Sequence, residues 1–318
     1  MDCAGILVFA DDNWRKITYT FYMKIMVSGA TGLLGRAVYK QLEGNENFNV
    51  IGTGFSRAQP PVEKLNLRSR ADVDSFLDNY KPECIVHCAA ERRPDISEAD
   101  PDASRELNVE VTGHLAEQSA ERGIFMLYIS TDYVFDGRNP PYYPDSKTNP
   151  LNFYGRTKLA GEEAVKSALE SCIILRVPIL YGTETYPRES SVSSVAASLM
   201  ENRGGTFDDV AVRYPTHTED VAGVISRILD SRLNGKMLSG IYHFSGDEKY
   251  TKYEMALVMA DMLGIERECI SPDRKGQGGA DRPVNSRLDS GKLAGEISLR
   301  NTPFNAGIKP VLERLFRN

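Results

Sequence analysis

An α/β fold, a doubly wound parallel sheet with a smaller C-terminal lobe, is what this sequence predicts, and three observations predict it. A short apolar run, Lys24-Ile25-Met26-Val27-Ser28, passes through Gly29-Ala30-Thr31-Gly32-Leu33-Leu34-Gly35 into residues of helical periodicity with no linker between them. Two further apolar runs, Cys84 to Ala90 and Ile124 to Ile129, lack the polar alternation of a half-exposed strand, as expected of parallel strands covered on both faces. Helical stretches, Asp72 to Tyr80 and another beginning near Pro101, separate those runs.

The chain of 318 residues suffices for one large domain or two modest ones. Its 41% hydrophobic and 26% charged residues are those of an ordinary globular protein. A net charge of -6 argues against nucleic acid or an anionic membrane as the main partner, so an anionic ligand must be met by a local basic pocket. The five cysteines (Cys3, Cys84, Cys88, Cys172, Cys269) are scattered and form no C-x-x-C pair. They are expected to be reduced thiols of a cytoplasmic protein with no metal site.

Residues 1–22 do not share the pattern of the later chain and are expected to be a variable extension. Cys3 to Ala10 is too short, and too soon interrupted by Asp11-Asp12, to cross a bilayer, and it lacks the basic start and cleavage site of a secretory signal. Met23 stands immediately before the first strand, so a product starting there instead of at Met1 would keep the whole fold.

The turn from Gly29 to Gly35 is either a glycine-rich surface turn or a phosphate cradle. Its place between strand and helix favours the cradle: glycine lets the backbone approach a pyrophosphate, and the first N–H groups of the helix face the anion. Phe48 to Phe55 reads as the second strand, ending at Ser56-Arg57. An acid that would hold the ribose hydroxyls of NAD is missing there. Arg57 stands nearby and suits the 2′-phosphate of NADP, unless it is only a solvated loop residue.

Leu65-Asn66-Leu67 can pass under an adenine, and Cys84 to Ala90 ends in small residues where a flat cofactor could touch a strand tip. His87 is expected to be a packed strand histidine rather than a catalyst. Asn108 falls mid-helix among apolar neighbours, either simply tolerated or holding a kink or a proton-relay water. The strand Ile124 to Ile129 delivers Ser130-Thr131-Asp132 to its carboxyl end, the side on which ligands sit in open parallel sheets. Tyr154 and Lys158 are four apart on one helix face, and a lysine cation near the phenol lowers the cost of the phenolate.

After Tyr181-Gly182 the pattern of the parallel sheet weakens. Thr183 to Ser194 is polar and loop-like. A helix around Val195 to Glu201, another over Asp220 to Ser231, a strand over Gly240 to Phe244 and a helix over Lys252 to Leu263 read as a smaller lobe above the sheet's carboxyl edge, and Lys275 to Gly279 reads as a mobile loop. The expected division is a dinucleotide-binding Rossmann domain over 23–182 and a substrate or partner lobe over 183–318, with a return of the chain to the sheet left open.

A glycine turn near the start, a Ser/Thr at a strand end and Tyr-x-x-x-Lys some two dozen residues later resemble the extended short-chain dehydrogenase/reductases. Within them, STDYVFDG (130–137), PLNFYGRTKLAGE (150–162), LRVPILYG (175–182) and RPVNSRLD (282–289) resemble the dTDP-4-dehydrorhamnose reductase family, which also holds the regulatory β subunits of methionine adenosyltransferase. The resemblance runs from about Lys24 to Pro310. HCAAERRPD (87–95), GFSRA (54–58) and RYPTHTEDVA (213–222) are similar to the β-subunit branch.

The resemblance implies NADP as cofactor, with Thr31, Gly32, Leu33 and Leu34 on the pyrophosphate and Phe55, Ser56 and Arg57 around the adenosine phosphate. It puts Asn66 and Leu67 by the adenine, Cys88 and Arg92 against the cofactor, Tyr154 and Lys158 at the nicotinamide ribose and Leu180 beside the ring. Thr131 would polarise a carbonyl and Tyr154 would act as general acid. The resemblance leaves two functions: an NADP-loaded regulatory subunit docking on a methionine adenosyltransferase catalytic subunit, towards which the arginine pair leans, or an NADPH-dependent reductase of a keto-sugar nucleotide using Thr131, Tyr154 and Lys158. The β subunits' C-terminal tail with its Trp-Arg pair has no counterpart in Leu315-Phe316-Arg317-Asn318, which makes docking less secure than cofactor binding.

Overall fold

The computed structural model describes residues 22–275 and 278–316. Residues 1–21 of the expected extension, Gly276 and Gln277 of the expected loop, and Arg317 and Asn318 lie outside the described residues.

The chain opens with β1 (Met23–Ser28), turns through the glycines into α1 (Leu33–Glu43) and returns as β2 (Phe48–Gly54) and a two-residue β3 (Glu63–Lys64). Next come α2 (Arg70–Tyr80), β4 (Cys84–His87), α3 (Pro94–Ala99) and α4 (Pro101–Arg105). A π-turn over Glu106–Glu110 leads into α5 (Val111–Arg122), β5 (Phe125–Thr131), α6 (Phe153–Ala168), β6 (Cys172–Val177) and β7 (Leu180–Tyr181). The remainder comprises α7 (Ser191–Asn202), β8 (Gly205–Asp208), β9 (Thr216–His217), α8 (Thr218–Leu233), β10 (Gly240–His243), α9 (Lys252–Leu263), β11 (Ile270–Asp273), α10 (Gly291–Ala294) and α11 (Phe304–Phe316).

Among the described residues, seven strands form one sheet in the order β10-β6-β5-β4-β1-β2-β3, and every pairing in it is parallel. The chain winds outward through β2 and β3, then crosses β1 to continue through β4, β5 and β6. The switch of direction therefore lies between β1 and β4, where the two outgoing loops diverge and leave a crevice at the strands' carboxyl ends. The sheet is apolar on both faces because both are covered: Ile25, Val27, Val86 and Leu127 face one core, Met26, Ile85, Met126 and Ile174 the other.

The later chain differs from its expected assignment in two elements. The strand expected over Gly240 to Phe244 within the smaller lobe is β10, which pairs with β6 from Gly240 opposite Ile173 to His243 opposite Arg176 and extends the large sheet. The helix expected over Asp220 to Ser231 is α8, whose Val221, Val224, Ile225 and Ile228 pack into the core that holds Val38 and Leu42 of α1. The chain thus returns to the large sheet after residue 182. The smaller core gathers Val192, Val195 and Leu199 of α7, Phe207 of β8, Met255 and Met259 of α9, Ile270 of β11 and Phe304 and Ile308 of α11.

Asn108 sits in the π-turn and is fully buried. The helix expected from Pro101 is accordingly broken into α4, the π-turn and α5. The extra backbone loop is stabilised by the Asn108 amide. Its Oδ1 accepts from Glu91 N at 2.9 Å, and its Nδ2 donates to Glu91 O at 2.9 Å and to Thr157 Oγ1 at 3.0 Å. A side chain that is only tolerated would leave those buried groups unpaired.

Candidate functional site

The turn after β1 is tight for steric reasons that only glycine satisfies. Gly29 has φ +71, and a Cβ placed on Gly35 would lie 2.1 Å from Gly29 O, so the first turn of α1 rests directly on the loop that precedes it. Gly32 is the N-cap of α1 and offers no side-chain cap, and the first turn holds no acid. The positive end of the helix is left facing the crevice, the arrangement that receives a phosphate.

Beside it lies a cavity of about 600 Å³ whose walls come from the loops after β1, β2, β3, β4, β5 and β6. Gly29, Thr31, Gly32, Leu33, Leu34 and Gly35 line it from the first turn, and Phe55, Ser56, Arg57, Asn66 and Leu67 from the loops after β2 and β3. Cys88 and Arg92 face it from the loop after β4, Thr131 from the end of β5, Tyr154 and Lys158 from α6, and Leu180 from β7. The positions nominated from sequence therefore surround one space. Phe55 is half exposed at its lip, with Lys64 Nζ 5.8 Å from the ring centroid.

At the far end of the cavity Thr131, Tyr154 and Lys158 are all buried. Asn152 caps α6 by accepting from Gly155 N at 2.8 Å, which fixes where the first turn starts and so where Tyr154 points. Burial pushes the Tyr154 phenol well above its ordinary range, while the Thr131 hydroxyl pulls it down; at neutral pH the phenol keeps its proton. Burial pushes Lys158 the other way, down to about 7, with Glu162 and Cys88 acting to raise it.

The expected partnership of Lys158 with the phenol is not what the geometry shows. Lys158 Nζ donates to Ile129 O at 2.7 Å and sits 4.0 Å from the centroid of the Tyr128 ring. The spacing of four does place both on one face, but β5 runs beneath that face and offers the ammonium a carbonyl. Asp132, adjacent to Thr131, is raised to about 6 by burial, against hydrogen bonds from Ser286 and Thr131.

Below the site, Glu162 accepts from Ser130 Oγ at 2.5 Å and from Arg176 at 2.8 and 2.6 Å, a buried bidentate pair. His87 is packed as expected: Nδ1 is 2.6 Å from Ser28 Oγ and Nε2 is 3.1 Å from Thr112 Oγ1. Burial, aided by Lys158, takes His87 down to about 3, so it is neutral and structural.

Several cavity residues were not nominated from the sequence. Glu189 reaches in from the polar segment after β7, and its buried carboxylate accepts from Arg36 at 2.9 and 2.7 Å and lies 3.7 Å from Arg57. Arg213, Lys252 and Arg282 line the lobe side of the cavity and make it locally basic in an acidic chain. Of the arginine pair, Arg92 donates to Glu189 O, whereas Arg93 folds onto Glu91 at 2.9 and 2.8 Å. Among the described residues no group of His, Cys, Asp and Glu could hold a metal, the cysteines are unpaired, and no helix is long and apolar enough to cross a membrane.

Comparison with known proteins places this geometry in a family. Residues 23–317 match the family described as the RmlD substrate binding domain. The methionine adenosyltransferase 2 subunit beta of Bos taurus is 43% identical over 291 residues, covering 91% of this chain and 87% of that protein. A crystal structure of a dTDP-4-dehydrorhamnose reductase from Clostridium acetobutylicum superposes with a TM-score of 0.79 at 27% identity, covering 92% of this chain and 99% of that one. Another reductase of that name, from Bacillus anthracis and crystallised with NADP, shares the fold with a TM-score of 0.78 at 24% identity, covering 92% and 98%.

Proposed function

Because this chain belongs to the RmlD substrate-binding-domain family, we propose that it is an NADP-holding β-type subunit that docks on a methionine adenosyltransferase catalytic subunit and modulates S-adenosylmethionine synthesis in the cytoplasm. The observation that carries the reading is the 43% identity to a β subunit across nine-tenths of the chain, against 27% to a reductase. In this reading the large sheet with its helices, α8 and β10 included, holds the nucleotide, and the smaller core of α7, α9, α11, β8 and β11 contributes the partner-facing lobe.

The residues present fit the nucleotide. The uncapped start of α1 and the glycine contacts make room for a pyrophosphate, and Asn66 and Leu67 line the cavity beyond β2, within the part that would take the adenine. Arg57, half exposed and loosely paired at 3.7 Å, is free to turn to a 2′-phosphate. Cys88, whose thiol burial pushes up to about 12, is a neutral apolar surface for a flat ring rather than a nucleophile.

A second reading, reduction of a keto-sugar nucleotide, is favoured by the grouping of Thr131, Tyr154 and Lys158 in one cavity with basic side chains on its lobe side. When bound, NADPH supplies the hydride. The Thr131 hydroxyl, turned from Asp132 Oδ1, would donate to the substrate carbonyl oxygen, and the Tyr154 phenol, kept protonated by burial, would give its proton to that oxygen as the C–H bond forms, leaving an alcohol. Lys158, one turn along α6 with its Nζ donating to Ile129 O, would meet the nicotinamide ribose.

Sedimentation of the protein mixed with the organism's methionine adenosyltransferase, at tens of micromolar with NADP present, tests the first reading. A faster-sedimenting complex is the expected result, and two independent boundaries defeat it. Steady consumption of NADPH with a keto-sugar nucleotide would put the reductase in its place.

A further inference from the structure

The segment between β7 and α7 is polar and lacks regular structure, yet it is pinned at every point where it faces the cavity. Glu184 folds back onto the start of α7, accepting from Ser190 Oγ at 2.6 Å and from Ser190 N at 3.2 Å. Arg188 takes φ +69, a left-handed conformation that a non-glycine residue adopts only when its surroundings impose it, and its guanidinium is held by Glu201 at 2.6 Å. The next residue, Glu189, is thereby turned inward towards the phosphate cradle.

There its carboxylate is almost fully enclosed. Arg36 binds it with both arms of the guanidinium and also donates to Thr31 O within the cradle at 2.8 Å and to Thr183 O at 3.2 Å. Thr185 N and Oγ1 donate to Oε2 at 2.8 and 3.1 Å, Arg57 stands at 3.7 Å, and Arg92 donates to the Glu189 carbonyl. A buried carboxylate facing two arginines at the mouth of an anion site does what a phosphate would do there: it neutralises and orients the cations.

We propose that residues 183–190 form a latch across the phosphate cradle, with Glu189 as its bolt, and that release of the Arg36–Glu189 pair governs the exchange of nucleotide. Glu189 is a positioning residue in this scheme. It holds Arg57 and Arg92 ready while the latch is shut, and it must yield Arg57 when a 2′-phosphate arrives. Arg36, which donates to Thr31 O as well as to Glu189, ties the latch to the cradle.

The kinetic arm of the test rests on the nucleotide reading above; the exchange arm does not. In stopped flow, following NADPH emission, Glu189→Gln and independently Arg36→Lys are expected to raise both the association and the dissociation rate about tenfold, while the dissociation constant moves much less. Unchanged rates, or a faster dissociation alone, overturn the latch. Hydrogen exchange without nucleotide is measured on the same proteins. Amides 183–190, Thr185 among them, are expected to be protected in the parent and to exchange at least about tenfold faster in either variant, with β1 and β4 unaffected. Equal exchange in parent and variants overturns the latch whether or not NADPH binds. Absence of NADPH binding with the exchange difference present removes the nucleotide reading and leaves the latch.

Discussion

Lys158 offers a direct test of the electrostatics at the site, because its titration falls in a window that few other groups share. Its folded pKa is about 7 against 10.5 for the free side chain, with burial as the main cause. A base depressed in this way binds fewer protons folded than unfolded between those values, so stability rises with pH through the window and is lost as pH falls through 7. From pH 7 to 9, with half the protons already gone at the start, linkage gives a rise of about 2 kcal/mol attributable to this group. Lys252, also lowered by burial, acts with the same sign but is common to parent and variant, and most other shifted groups act elsewhere. His87 and His243, lowered to about 3, and Asp132, raised to about 6, have finished changing by pH 7, and the thiols of Cys84 and Cys88, raised to about 12, begin to oppose the trend only near pH 9. Lys158→Met keeps the volume and leaves Glu162 paired with Arg176 and Ser130. Urea unfolding of parent and variant at half-unit steps should show curves whose separation grows by about 2 kcal/mol across pH 7–9. Parallel curves would mean that Lys158 titrates normally and would refute the account of the site as a desolvated pocket.

Other outcomes rest on single contacts. Arg57→Ala should weaken NADP by about 1.5 kcal/mol, the low end for a charge-assisted bond because the side chain is half exposed, and leave NAD unchanged; equal losses for both in calorimetry would remove the 2′-phosphate role. Tyr154→Phe should leave NADP bound while abolishing any turnover of a keto-sugar nucleotide, and retained turnover would take the phenol out of the mechanism. Gly35→Ala puts a methyl 2.1 Å from a backbone oxygen, so it should cost about 2 kcal/mol in thermal unfolding and weaken nucleotide binding; a variant with parental midpoint and affinity contradicts the described turn. Glu162→Ala should cost about 3–5 kcal/mol by stranding the buried Arg176, and a loss below about 1 kcal/mol would show that the pair is solvated.

The first half of the sheet was legible because its signals are local. β1, β4 and β5 are apolar runs covered on both faces, and Gly35 must be glycine because of Gly29 O, within the same turn. Asn108 was visible as an anomaly for the same reason: an amide among apolar helical neighbours asks for partners, and the π-turn with Glu91 and Thr157 supplies them. The placement of β10 was not legible. Gly240–His243 is four residues long, and its membership of the large sheet depends on pairing with β6, nearly seventy residues earlier in the chain. The apolar stripe of α8 predicts a helix but does not say which core it covers.

Glu189 escaped the sequence for the same reason. The polar stretch after Gly182 has the composition of a loop, and nothing within it distinguishes Glu189 from a solvated acid; what makes it part of the site is Arg36, 153 residues away on the helix that the glycine turn launches. The two readings of function diverge on just such long-range features. A reductase needs the Thr131, Tyr154 and Lys158 end of the cavity to admit and release a second substrate on every turnover, whereas a subunit that holds its nucleotide needs the phosphate end to stay shut. At the phosphate end Glu189 meets Arg36, Arg57 and the Arg92 guanidinium, while the fully buried pair Glu162–Arg176 lies below the Thr131, Tyr154 and Lys158 end, where Lys158 rests on a backbone carbonyl and an aromatic face. A shut phosphate end is what a subunit that keeps its nucleotide requires, and the exchange rates of Glu189→Gln and Arg36→Lys decide whether it is shut.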